Sequence, residues 1–131
     1  MASIVRARTF WLAAMMALVV ACTVQPIRNV ADTPVPKPGL TDEQIAKAIK
    51  TAAVGLGWQI ADKGPGNMEG TLHLRTHVAV VDIAYNPKTY SITYKDSTNL
   101  QYDAKAQKIH KNYNGWIQNL DNAIKVQLSN S

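Results

Sequence analysis

A double change of apolar period constrains this chain more than any other feature. Ile45, Ala48, Ile49, Ala52 and Leu56 recur at helical spacing. From Trp58 the period falls to two. Trp58 and Ile60 alternate with Gln59 and Ala61; Met68, Gly70, Leu72 and Leu74 alternate with Glu69, Thr71, His73 and Arg75. Ala79, Val81, Ile83 and Tyr85 continue the alternation, followed by Tyr90, Ile92 and Tyr94 against Ser91, Thr93 and Lys95. The helical period then returns, with Ile109, Tyr113, Trp116, Ile117, Leu120, Ile124 and Leu128 on one stripe. A stripe and a half-apolar sheet each need something to cover them. The order α-β-β-β(-β)-α therefore predicts an α+β two-layer sandwich, with both helices on the greasy face of one antiparallel sheet.

Local signals set the boundaries. Thr41-Asp-Glu-Gln44 reads as an N-cap and capping box, with Asp42 and Glu43 at the positive helix end. Gly55 and Gly57 stop that helix, and Lys63–Asn67 and Asn86-Pro-Lys88 are turns. Ser97–Asp103 reads as an irregular crossing, and the closing helix spans roughly 108–128. Gly115 inside it costs about 1 kcal/mol relative to Ala, so a close packing approach is expected there.

Ahead of Thr41 the pattern vanishes. Residues Thr23–Gly39 show no apolar periodicity and end in the Pro-rich Thr33-Pro-Val-Pro-Lys-Pro-Gly39. Alternating proline favours polyproline II at ~3.1 Å per residue, a spacer of up to ~50 Å. This divides the chain into residues 1–21, a Pro-rich tether at 22–40 and one domain at 41–131. An SH3-type reader of the prolines does not suit the compartment read from the N-terminus below.

Arg6 and Arg8 precede the apolar run Phe10–Val20, and small Ala21 stands before the only cysteine, Cys22. Eleven apolar residues reach about half of a ~30 Å hydrocarbon core, so the run reads as a cleaved targeting segment rather than a transmembrane helix. Val19 at position −3 suits an ordinary secretory cut poorly. Val19-Val20-Ala21-Cys22 instead resembles the lipobox of bacterial lipoproteins. That resemblance implies cleavage between Ala21 and Cys22, removal of residues 1–21, and acylation of Cys22. Because Thr23 is not Asp, it further implies the periplasmic face of the outer membrane rather than the inner membrane.

Acylation of Cys22 leaves no thiol for a disulfide, so the core alone must hold the domain. Loss of Arg6 and Arg8 lowers the net charge from +5 to +3, with twelve Lys/Arg against nine Asp/Glu. These charges are scattered along the sequence and form no basic stripe, which argues against a nucleic-acid partner. Only mild attraction to anionic lipid is expected.

Candidate sites are few. His73 and His77, with Asp82 or Glu69, would need to share a sheet face to bind a metal; a change of strand near Thr76 removes that spacing, so no metal or other cofactor is expected. Asp82, Asp96 and Asp103, with Ser91 and Ser97, supply groups for hydrolysis, but no nucleophile or phosphate-loop motif organises them. Strand and helix phases bury Tyr85, Tyr90, Tyr94, Tyr113 and Trp116. Tyr102 is left in the loop as the exposed aromatic, and Ser97, Asn99, Tyr102 and Asn112 form the candidate recognition loop.

The segments Ser91–Ser97, Asn99–Tyr102 and Ile109–Trp116 are similar to small proteobacterial lipoproteins of comparable length. The resemblance implies fold and location and brings no catalytic motif. The expected role is a non-catalytic, lipid-anchored binding or assembly accessory of the cell envelope, with an envelope protein as partner. The alternatives are a peptidoglycan- or glycan-binding lipoprotein and a small periplasmic hydrolase.

Overall fold

A computed structural model describes residues 23–131. The elements run β1 (Val24–Pro26), β2 (Val30–Pro34), α1 (Asp42–Gly55), β3 (Gln59–Asp62), β4 (Asn67–Leu74), β5 (His77–Tyr85), β6 (Thr89–Thr98), β7 (Lys108–His110) and α2 (Lys111–Ser129). The α+β sandwich is present: a five-stranded antiparallel sheet in the order β2-β6-β5-β4-β3 carries both helices on one face. Met68, Leu72, Ala79, Val81, Ile83, Tyr90 and Ile92 line that face and meet Ile45, Ile49 and Ala52 of α1 and Ile117, Leu120 and Ile124 of α2. The capping box forms as the sequence predicts. Gln44 N donates to Thr41 Oγ1 at 3.2 Å, and Thr41 N donates to Gln44 Oε1 at 2.9 Å.

Three expectations are corrected. The tether expected at 22–40 instead contributes two strands, of three and five residues: β1 pairs with β7, and β2 adds to the sheet beside β6. Val30 and Leu40 from this stretch are buried in the core, so the folded domain starts at Val24 rather than Thr41. Proline is tolerated there because β2 is an edge strand, where a missing N–H breaks no ladder. The crossing at Ser97–Asp103 begins later than expected, since β6 runs on to Thr98, and residues 108–110 are strand β7 rather than the first turn of the closing helix. Gly115 has open space where its Cβ would stand, so no close approach explains it.

Candidate functional site

One end of the sheet gathers most of the chemistry-bearing side chains. It is made by the start of β5, the end of β6, the loop that follows and the first turn of α2. A β-bulge in β6 is the local cause. Tyr94 pairs with Val81 and Asp96 with Val80, so Lys95 is an extra residue and the strand changes phase. Tyr94 and Ser97 then share the inward face, and their hydroxyls meet at 2.8 Å.

Tyr94 is the hub of an aromatic group. Tyr102 stacks on it with ring centroids 4.2 Å apart and planes at 27°, and Tyr113 of α2 meets it edge-on at 5.7 Å. Nearby, the His77 ring lies 6.3 Å from Trp116, and His77 Nδ1 lies 2.7 Å from the Asn99 carbonyl oxygen. Asn99 Nδ2 donates to Thr76 Oγ1 at 2.8 Å. The loop itself is tightly wound. Asn99 and Gln101 take left-handed backbone conformations, with φ of 57° and 54°, on either side of the buried Leu100. Such values are uncommon outside glycine, and here they turn Leu100 into the core. His110 N then donates to the Leu100 carbonyl at 2.8 Å, tying the loop to β7.

Burial pushes the Tyr94 hydroxyl above its ordinary range, against a smaller lowering by Ser97, and pushes Tyr113 up more strongly. Both phenols are neutral at physiological pH. The buried Tyr113 hydroxyl finds no partner among the described residues. Tyr102 is 37% exposed while stacked on Tyr94, so it stays partly open to solvent. This end offers a part-exposed aromatic ring edged by amides and hydroxyls, with Asp96 and Lys111 exposed at its margin.

Of the predicted recognition residues, Ser97 and Tyr102 both meet Tyr94, while Asn99 is bound to Thr76 and His77. Asn112 is exposed on the first turn of α2, and its backbone N–H donates to His110 Nδ1 at 3.1 Å. Part of the loop's polar capacity is used internally, on Tyr94 and Thr76. Ala21 and Cys22 lie outside the described residues.

The other constellations come apart. Leu74 pairs with His77 across the Arg75-Thr76 turn, so His73 points to the open sheet face and His77 to the helix side. No cluster of three metal-ligating side chains occurs among the described residues. On the open face, Lys95 donates to Glu69 at 2.5 Å and lies 3.6 Å from Asp82. Asp96 accepts Ser97 N at 2.8 Å, and Asp103 accepts the amides of Lys105 and Ala106 at 2.9 and 3.1 Å. Ser91 Oγ accepts Asp32 N at 2.9 Å. These groups serve turns, a bulge and an ion pair, and no histidine is hydrogen-bonded to any of them.

A cleft of about 290 Å³ lies at the other end of α2, between Gln44, Lys47 and Thr51 of α1 and Gln127, Asn130 and Ser131. None of the four recognition residues reaches it. No helix among the described residues is long and apolar enough to cross a membrane.

Sequence reading missed Tyr94–Ser97 because a bulge has no alternation signature. It missed the β1–β7 pairing because three-residue strands have none either. Comparison with protein-family models, curated proteins and solved structures finds no match for this chain.

Proposed function

We propose that this chain is a lipid-anchored, non-catalytic binding or assembly module of a bacterial cell envelope, held on the periplasmic face of the outer membrane through acylated Cys22. The motif Val19-Val20-Ala21-Cys22 supports the anchor. The observation that carries the module reading is the position of the fold relative to that motif. β1 begins at Val24, and the Thr23 carbonyl accepts Lys111 N at 2.7 Å, so only Thr23 stands between Cys22 and the first strand. With about 3.8 Å between successive Cα atoms, no long spacer separates domain and anchor. Thr23 Oγ1 donates to Gln101 Oε1 at 3.4 Å, so an anchor at Cys22 would keep the Tyr102 loop close to the membrane, where an envelope protein would meet it.

Two measurements test this reading. Cys22→Ser should leave an uncleaved, unacylated precursor that no longer reaches the outer-membrane fraction; a variant still matured and still in that fraction would end the anchor claim. A photo-crosslinker at Tyr102, followed by identification of the adduct from intact cells, should trap an envelope protein. The part-exposed Tyr102 ring favours a second reading, stacking on peptidoglycan sugars. Purified peptidoglycan should then retain the protein and lose it on Tyr102→Ala.

A further inference from the structure

Net charge along the mature sequence looks evenly spread, but the fold sorts it. β1, the turn after it, the 103–107 turn, β7 and the first turns of α2 together cover residues 23–29 and 103–115. Of the twelve Lys/Arg and nine Asp/Glu that follow Cys22, this ribbon holds four cations, Arg28, Lys105, Lys108 and Lys111, and one anion, Asp103. Elsewhere eight cations face eight anions. The whole excess of +3 therefore sits on the ribbon.

These four cations are exposed, and none of the ion pairs among the described residues engages them. Asp103 accepts the turn amides of Lys105 and Ala106 on Oδ1, and its single charge leaves the ribbon at +3. Lys111 opens α2 with no acidic residue in the first turn, where the helix dipole disfavours a cation. Pairing places Lys108 opposite Pro26 and His110 opposite Val24, with Ile109 turned to the core. Lys108 thus projects from the side of the ribbon away from the core.

We infer that this ribbon is a membrane-contact face that takes anionic phospholipid headgroups. The inference rests on the lipid-anchored reading for its setting, since the acyl chains would enter the bilayer from Cys22, one residue from the ribbon. Charge complementarity selects the occupant: four unpaired cations beside an anchoring point fit the negative surface of a bilayer. The contact would fix the orientation of the domain and present the aromatic end at a defined height.

The test needs no acylation. All buried side chains among the described residues lie between Val30 and Leu128, so the chain from residue 22 onward, carrying Cys22→Ser, contains the whole core. It should sediment at low ionic strength with vesicles containing phosphatidylglycerol, but not with pure phosphatidylcholine vesicles, and salt should release it. Lys105→Gln, Lys108→Gln and Lys111→Gln should each weaken binding about fivefold, and all three together about a hundredfold. A control triple of Lys47→Gln, Lys63→Gln and Lys88→Gln should bind like the parent. Equal loss in the control would mean that net charge alone acts, which overturns the assignment. So would the absence of any preference for anionic vesicles; ribbon lysines that crosslinked instead to an acidic envelope protein would name the replacement. Acylation itself is read separately, from the mass of the N-terminal peptide of the native chain, so either claim can fail without the other.

Discussion

The five-stranded sheet and the β1–β7 ribbon are both antiparallel, yet they rest on different forces. In the sheet, β3 to β6 are successive hairpins, and their inward faces supply much of the core. In the ribbon, Val24 must find His110, and only Ile109 of its six strand residues is buried. The sheet is held by apolar burial; the ribbon is held mainly by exposed hydrogen bonds. Elements of the second kind open at low free energy, while those of the first open only with the whole domain. The β1–β7 side is thus the soft side of the molecule, grafted onto a firm body.

The largest effect should come from the firm body. Ile83 is 1% exposed on the central strand β5, and Ile83→Ala should cost about 2–5 kcal/mol, through lost transfer energy and a cavity. Urea unfolding should show one cooperative transition at a lower midpoint. If only the ribbon were released, the division drawn here would be wrong.

Next in size is the polar link between sheet and helix. Tyr90 Oη donates to Asp121 Oδ1 at 2.5 Å, and Asp121, 3% exposed, also meets Lys125 Nζ at 3.1 Å. Burial and the Asp121 carboxylate together push the Tyr90 hydroxyl far above its ordinary range, so it donates at all working pH values. Tyr90→Phe keeps the ring but leaves a buried carboxylate oxygen without its donor. The expected loss is about 1–3 kcal/mol, read as a shift in the thermal midpoint.

The same contrast explains what could be read from the sequence. Alternation over eight to ten residues writes β4, β5 and β6 plainly, and Thr41 with Gln44 writes the start of α1. Asp121 leaves no such trace, because a carboxylate between Leu120 and Ile124 reads as a solvent-facing position. Its burial depends on a tyrosine thirty-one residues away. The ribbon was illegible for a related reason: three-residue strands carry less than two periods, and Pro26 and Pro34 argue for coil. At the candidate site, the exposure of Tyr102 could be anticipated from its place in a loop. Its stacking on Tyr94 could not, since it depends on the bulge at Lys95 and on long-range packing.

Asn114 probes the ribbon alone. Its side chain accepts Arg28 N at 2.9 Å and donates to the Pro26 carbonyl at 2.9 Å, clamping the strand end to α2. Asn114→Ala should cost about 1 kcal/mol. Amide exchange should accelerate at Ile27 and Lys108 while Val81 and Ile83 keep their protection. Uniform acceleration would merge ribbon and sheet into one cooperative unit.

Gly115 gives a change of opposite sign on the same helix. It is exposed, and its Cβ position is empty. Gly115→Ala should therefore stabilise the domain by about 0.5–1 kcal/mol, through helix propensity and a less flexible unfolded chain. A loss of vesicle or partner binding in this variant, with the melting point raised, would give the glycine a functional reason that packing does not.

The smallest effect belongs to the open face of the sheet, and its sign follows from proton linkage. The hydrogen bond from the Lys95 ammonium holds the Glu69 carboxyl below its ordinary value of 4.5, partly offset by desolvation. Lys95 is held above 10.5, first by that bond and then by Asp82. A lowered carboxyl pKa means that the contribution of Glu69 is present above 4.5 and fades as pH falls through the folded-state value. A raised lysine pKa means that its contribution is full below 10.5 and fades only as pH climbs beyond it. Between these limits the pair adds a constant, salt-screened increment. Lys95→Gln should remove that plateau and flatten the acid limb of the stability curve, while leaving vesicle binding intact because the ribbon cations are elsewhere. An unchanged acid limb would show that the pair is too well solvated to matter. A fall in vesicle binding would extend the charged contact face from the ribbon onto the sheet.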